Sequence, residues 1–259
     1  MGSSIVIETK DLFYTYSSTR EVVLKKINIS IEENRLVALL GPNGSGKTTL
    51  LKILSGILSD YTGSVKLLGV ELKRFSPRDL ARTIAYVPQT ENLSMPYTVY
   101  EYVLMGRTPY IGLVRISRRD LEKTTEAIKM VGLEDLVNRR INELSGGEAQ
   151  LARISRALAQ EPRVILLDEP TSHLDLRNRV KVLRLIRDLS RRGYTVIFTT
   201  HDPNEALRVS DEIYVLNKGS IVAQGPPAEV IDKELIKKVY SVDVEIFGEG
   251  EEIFVYPLI

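Results

Sequence analysis

Eight consecutive residues carry the strongest chemical signal in the chain: Gly41-Pro42-Asn43-Gly44-Ser45-Gly46-Lys47-Thr48. They fit G-x-x-x-x-G-K-[ST], a loop whose backbone N–H groups turn inward to cradle phosphate. Glycines permit that turn, and the following helix adds the partial positive charge of its N-terminus. In such a loop Lys47 reaches the β- and γ-phosphates, and the Thr48 hydroxyl ligates Mg²⁺. The flanks agree. Leu36-Val37-Ala38-Leu39-Leu40 is an apolar run suited to a buried parallel strand, and Thr49-Leu50-Leu51-Lys52-Ile53-Leu54 has helical spacing.

A second group of candidates sits at the ends of apolar runs. Val164-Ile165-Leu166-Leu167 leads into Asp168-Glu169. Strand interiors expel charge, so paired carboxylates at a strand's carboxyl end face a site. Asp168 is placed to hold Mg²⁺ through water, and Glu169 to orient or deprotonate an attacking water. A capping pair for the next turn is the plainer alternative. Thr195 to Thr200 is another buried run, and it ends at His201, one of only two histidines with His173. In Leu144-Ser145-Gly146-Gly147-Glu148, Ser145 reads as a helix N-cap opened by glycine N–H groups. That is either a second anion-binding terminus or an ordinary capped helix. Tyr14 and Tyr16 precede a polar loop, where an aromatic can stack on a purine or simply pack a hairpin.

These residues need elements to hold them, and the chain has the length for it. Its 259 residues allow one domain, or one domain with a lobed insertion. Lys plus Arg is 35 against 34 for Asp plus Glu, which argues against a nucleic-acid-coating surface. With no cysteine, disulfides and thiolate metal sites are excluded. No apolar run approaches the ~18–20 residues that span a bilayer. Met1-Gly2-Ser3-Ser4 lacks the basic start and apolar core of a signal peptide, so a cytosolic chain is expected, with any membrane role exercised through partners.

Residues 5–35 read as an antiparallel β element, with strands at Ile5-Val6-Ile7, Val22-Val23-Leu24 and Ile27 to Ile31 around the loop Ser17-Ser18-Thr19-Arg20. Short strands follow at 63–69 and 84–87. Helical periodicity then dominates from Gln89 to about Glu161, with Val99–Met105, Leu121–Val131 and a helix from Ser145 to Pro162. Arg115, Arg118 and Arg119 are a possible binding patch, although solvated helix ends are the plainer reading. A hairpin turns at Lys218-Gly219, and from Val239 the tail alternates around Gly248-Glu249-Gly250 as a small β appendage. The expected fold is α/β: a mostly parallel core over 1–88 and 161–235 that includes the N-terminal antiparallel element, an inserted helical subdomain over 89–160, and a β appendage over 236–259.

In this order the motifs resemble the ATP-binding subunit of an ABC (ATP-binding cassette) transporter, across nearly the full length. Leu144-Ser145-Gly146-Gly147-Glu148 looks like the family signature, Asp168-Glu169 closes the Walker B strand, and Ser172-His173-Leu174-Asp175 matches the D-loop. Gln89 fits the Q-loop, His201 the switch histidine and Tyr16 the adenine-stacking aromatic. Thr98 to Arg107 and Thr171 to Leu176 are similar to importers of iron–siderophore, haem, cobalamin and related metal chelates.

The resemblance implies a single P-loop ATPase domain with ATP and Mg²⁺ as cofactors. Tyr16, Asn43, Gly44, Ser45, Gly46, Lys47, Thr48 and Thr49 would hold the nucleotide; Thr48, Gln89 and Asp168 would serve the metal; Glu169, His201 and Gln89 would serve catalysis. Ser145, Gly146 and Gly147 would contact the γ-phosphate held by a second copy. Two copies would join two membrane-spanning permease subunits on the cytoplasmic face, fed by an extracytoplasmic binding protein, with no nucleic acid involved. Residues 89–112, with Leu93, Met95, Tyr97, Tyr102, Met105 and Tyr110, would form the groove for the permease. An importer of another substrate, such as molybdate, is the nearer alternative. A non-transport ABC ATPase of DNA repair or translation is the further one, and this chain lacks the coiled-coil insertions or second cassette of such proteins.

Overall fold

Alternating apolar and polar side chains build the first two strands. β1 (Ile5–Thr15) and β2 (Val22–Glu32) pair antiparallel, with Leu12, Leu24, Ile27 and Ile31 fully buried. This computed structural model describes residues 4–17, 21–91, 96–111, 116–248 and 253–258. Met1–Ser3, the loop residues Ser18–Arg20, the groove residues Leu93 and Met95, Arg115, and the Glu249-Gly250 turn therefore lie outside the described residues. The two separate runs read at 22–24 and 27–31 form one strand, carried through Lys26 at φ 53°. β3 (Leu36–Leu40) is buried at every residue and leads through the glycine-rich loop into α1 (Lys47–Leu54). β4 (Thr62–Leu67) and β5 (Val70–Glu71) complete an antiparallel sheet in the order β2-β1-β4-β5.

The chain divides into two compact units, one of residues 1–75 with 186–259, the other of residues 76–185. The second unit begins with α2 (Pro77–Thr83) and β6 (Ile84–Val87). Its helices α3 (Val99–Leu104), α4 (Arg118–Val131) and α5 (Gly146–Ala159) each open on a capping box, from Thr98 with Glu101, Ser117 with Asp120, and Ser145 with Glu148. β7 (Val164–Leu167) is fully buried and pairs parallel with β6, and α6 (Leu176–Arg191) follows.

Arg107 organises this unit. Its side chain is fully buried, bonded to Asp120 at 3.0 Å, Glu161 at 2.8 Å and the Ala159 carbonyl at 2.6 Å, and its guanidinium lies over the Tyr110 ring. A β-carbon on the neighbouring Gly106 would collide with the Arg156 carbonyl. The Gly106-Arg107 pair is therefore architecture. Arg118 pairs with Glu122 at 2.9 Å and Arg119 with Glu161 at 3.6 Å, so both are ion-paired helix-end residues.

The first unit resumes within α6, at residue 186, and continues with β8 (Thr195–Thr200), α7 (Pro203–Val209), β9 (Glu212–Asn217) and β10 (Ser220–Gly225). β3 lies between β8 and β9, parallel to both, and β10 closes a hairpin with β9. α8 (Pro227–Val230) and α9 (Lys233–Tyr240) precede the terminal hairpin of β11 (Val244–Phe247) and β12 (Phe254–Pro257). The alternation read from Val239 thus begins five residues later. Asp232 caps α9 by accepting from the Leu235 N–H, which keeps Val239 in a helix with Ile236 on its buried face. The fold is α/β, with a mostly parallel sheet and an N-terminal antiparallel sheet.

Candidate functional site

In the first unit the phosphate-type loop is wedged between β2 and the β9–β10 turn. Gly46 adopts φ 107°, and a β-carbon there would stand 2.8 Å from Leu24 Cδ2 and 3.2 Å from the Val23 carbonyl oxygen. Gly44, at φ 77°, turns in open space at the loop's tip. The Ser45 carbonyl accepts from the Gly219 N–H at 3.1 Å, which ties the loop to the hairpin turn. Lys47, the first residue of α1, folds back so that Nζ donates to the carbonyls of Gly41 (2.7 Å) and Pro42 (3.0 Å). This places a buried cation at the helix N-terminus, where backbone N–H groups already favour an anion. Ser45 Oγ is buried with no hydrogen-bond partner among the described residues, so a polar donor stands ready in the loop. Lysine, hydroxyls and helix N-terminus together suit a phosphate chain.

Tyr16 and His201 are brought to the same unit's loop. The Tyr16 hydroxyl is 3.2 Å from Thr49 Oγ1, and its ring meets Tyr14 edge-on at 5.0 Å, which leaves it half-buried. The parallel register pairs Leu40 with Thr200, and the Gly41 N–H donates to the Thr200 carbonyl at 3.3 Å. One residue further, His201 leaves the strand level with the start of the loop, its side chain exposed.

The second unit carries two groups. The β6–β7 register pairs Val87 with Leu167, so Gln89 leaves level with Glu169, and Gln89 Nε2 donates to Glu169 Oε2 at 3.0 Å. Asp168 is 2% exposed. The Tyr86 hydroxyl donates to its Oδ2 at 3.3 Å, and its own N–H donates to the Val87 carbonyl at 2.9 Å. Glu169 takes a left-handed backbone at φ 44°, which turns the chain sharply off the strand. Ser145 caps α5: its hydroxyl donates to Glu148 Oε2 at 2.7 Å and accepts from the Glu148 N–H at 3.4 Å. These Ser145 bonds hold the Glu148 carboxyl below the usual carboxylate range. Ser145 and Gly146 are exposed, whereas Gly147 is buried against Asn178, whose Nδ2 would lie 2.7 Å from a β-carbon there. His173 is exposed in a left-handed turn at φ 61°, and Asp175 accepts from the Asn178 N–H at 2.8 Å as α6 begins.

The sequence reading missed the supporting residues. Tyr86 under Asp168, Asn178 against Gly147 and Gly219 under Ser45 depend on strand pairing or tertiary approach, and carry no local signal. Two aromatics assigned to the groove belong elsewhere. Tyr102 is buried with its hydroxyl on Glu91 at 2.7 Å, and Tyr110 lies under Arg82 and Arg107 with its hydroxyl on the Gln160 carbonyl at 3.1 Å. Tyr102 is thus spent on core, and Tyr110 is half-buried against the two arginines. Exposed apolar side chains in this part of the unit are instead Met105 (38%), Leu121 (41%) and Ile116 (51%).

Known proteins share the ordered motifs these elements present. Residues 24–172 match the ABC transporter family. The chain belongs to that family. It is 40% identical over 245 residues to an uncharacterized ABC transporter ATP-binding protein of Methanocaldococcus jannaschii, covering 94% of both chains. It is 37% identical to the iron(3+)-hydroxamate import ATP-binding protein FhuC of Bacillus subtilis, over 87% of this chain and 84% of the relative. Among solved structures, it is similar to a transporter described as of the metal-chelate type, in an inward-facing conformation. That likeness has a TM-score of 0.85 and 30% identity, over 98% of both chains. As an ABC transporter ATPase the chain binds and hydrolyses ATP. No helix among the described residues is long and apolar enough to cross a membrane.

Proposed function

We propose that this chain powers an importer of an iron(III) or related metal chelate, as a pair of copies that ATP draws together beneath membrane-spanning permease subunits. The observation that carries the reading is end-to-end likeness to the metal-chelate type of transporter, which extends beyond the family match into the C-terminal elements. The iron-hydroxamate relative agrees with it.

In this reading Lys47 and the loop N–H groups hold the β- and γ-phosphates, and Tyr16 offers its ring to the base. Thr48 and Gln89 serve as Mg²⁺ ligands, with Asp168 acting through water. Mg-ATP, when bound, supplies a charge-neutralised phosphoryl group for transfer to water. Glu169 orients or deprotonates that water, Gln89 steadies Glu169, and His201 bonds the γ-phosphate. The exposed Ser145-Gly146 terminus meets the γ-phosphate bound by a second copy, as a helix N-terminus can. An extracytoplasmic binding protein would deliver the chelate, and the chain would sit at the cytoplasmic face of the membrane.

The test is uptake of a ferric hydroxamate by vesicles reconstituted with the chain, the permease that co-purifies with it and its binding protein. Met105→Glu places a charge among the exposed apolar residues. Uptake is expected to fail in that variant while ATP turnover by the isolated chain persists. Co-purification with ribosomes or DNA and no membrane subunit would overturn the transport reading.

A further inference from the structure

A side chain of the helix that follows ties the turn that carries His201 to the C-terminal elements. Asn204, in the first turn of α7, has its amide paired with the backbone of β12. Its Nδ2 donates to the Val255 carbonyl at 3.1 Å, and its Oδ1 accepts from the Val255 N–H at 2.8 Å. Both polar groups of one strand residue are thus satisfied by one asparagine. In the β11–β12 hairpin Val255 faces Ile246, and its N–H and C=O point away from β11. That is a non-hydrogen-bonded position of the ladder, with the same parity as Pro257. The hairpin therefore spends no internal bond on the contact.

The rest of the turn is braced from its own side. Asp202 caps α7 by accepting from the Asn204 N–H at 2.9 Å, and the Asp202 N–H donates to Thr200 Oγ1 at 3.1 Å. Thr200 Oγ1 donates in turn to the buried Glu205 at 2.7 Å. Tyr240 of α9 has a buried hydroxyl. Burial raises its pKa, and the nearby Asp202 carboxylate raises it further. His201 itself is exposed, and the backbone on either side of it anchors its turn. Upstream, β8 fixes that backbone. Downstream, Asn204 bonds outside the turn, to β12.

We propose that Asn204, clamped on Val255, is a positioning residue for hydrolysis: the C-terminal hairpin holds the His201 turn in the orientation that turnover requires. The inference rests on reading His201 as the switch histidine. It gives the terminal hairpin, which lies outside the matched family region, a role in the reaction.

The test compares steady-state hydrolysis by full-length variants, with melting temperatures taken alongside. Asn204→Ala is expected to lower kcat about tenfold with KM for ATP unchanged, because the contacts to the nucleotide remain while the geometry of the turn is lost. In a His201→Ala background the same substitution is expected to change kcat less than about twofold, since residues acting as one unit are not additive. Val255→Pro removes the N–H that Asn204 accepts and leaves the hairpin ladder intact. It should lower kcat well below that of Val255→Ala, which keeps the N–H and loses only packing. A slowed His201→Ala chain beside an unaffected Asn204→Ala chain overturns the clamp alone. So does an Asn204→Ala loss that persists in full without His201, or equal rates for the two Val255 variants. A His201→Ala chain that turns over at the wild-type rate overturns the reading of His201, and the clamp with it.

Discussion

Gln89 Nε2 donates to Glu169 Oε2 at 3.0 Å, although 79 residues separate the two in sequence. Parallel pairing of β6 with β7 brings them level, and each leaves its strand two residues beyond the last paired position. The carboxylate assigned to water activation is therefore not loose at a strand end. An amide holds one of its oxygens, which limits the orientations it can take.

Glu169→Gln keeps the size of that side chain and leaves Lys47 and Asp168 in place. ATP affinity is expected to stay within a few-fold of wild type, while steady-state turnover falls about 100-fold or more through loss of the base or water-orienting group. Nucleotide binding and phosphate release, measured on the same preparation, check this. Near-normal turnover would remove Glu169 from the chemistry.

Lys47→Ala withdraws the buried ammonium from the loop and leaves the carbonyls of Gly41 and Pro42 without that donor. A fluorescent ATP analogue should bind at least about tenfold more weakly, because a charge-assisted phosphate contact contributes more than a neutral hydrogen bond. Unchanged affinity would contradict the loop's assignment.

Ser145 has two separable roles. Ser145→Ala should cost about 1 kcal/mol of stability through loss of the cap. Ser145→Arg should in addition abolish the Mg-ATP-dependent shift from monomer to dimer expected of a Glu169→Gln chain. Sedimentation with and without nucleotide separates the two effects. If no dimer forms with ATP in the parent variant, the shared-site reading is wrong.

Arg107→Met leaves Asp120 buried without its cation, and a loss of about 3–5 kcal/mol in unfolding free energy is expected. Burial raises the Asp120 pKa, but bonds from the Ser117 hydroxyl and N–H and from Arg107 outweigh it, so the carboxyl sits below its usual range. Glu161 is held low in the same way, by Arg107, Lys123 and Arg119 against burial. A depressed folded pKa gives stability that is present above the unfolded value, about 4, and lost as pH falls through the folded one. Wild-type melting temperature should therefore drop steeply below pH 4, and the drop should be shallower in Arg107→Met. Identical acid profiles would show that this cluster does not govern the loss.

The sequence by itself determined every piece whose physics is local. The glycine-rich loop, its flanking strand and helix, the Ser145 cap and the carboxylates after Leu167 are legible because backbone freedom, helix capping and charge at strand ends depend on neighbours in the chain. The aromatic stretch after Gln89 was legible only as apolar surplus. Tertiary structure decided which rings were spent on core: Tyr102 and Tyr110 pack against Arg156 and Arg107, cations that hydropathy cannot assign to them. It also decided register. Nothing in Tyr86-Val87-Pro88-Gln89 says which strand it will lie beside, so its bonds to Asp168 and Glu169 could not be read in advance. Nothing beside Asn204 in the chain marks it out, and only the return of the chain at Val255, some fifty residues later, gives its amide a partner. The physical reason is the same in each case. Capping and turn formation are settled within a few residues, whereas strand register and side-chain-to-strand bonds are settled by which distant segments bury their apolar faces together.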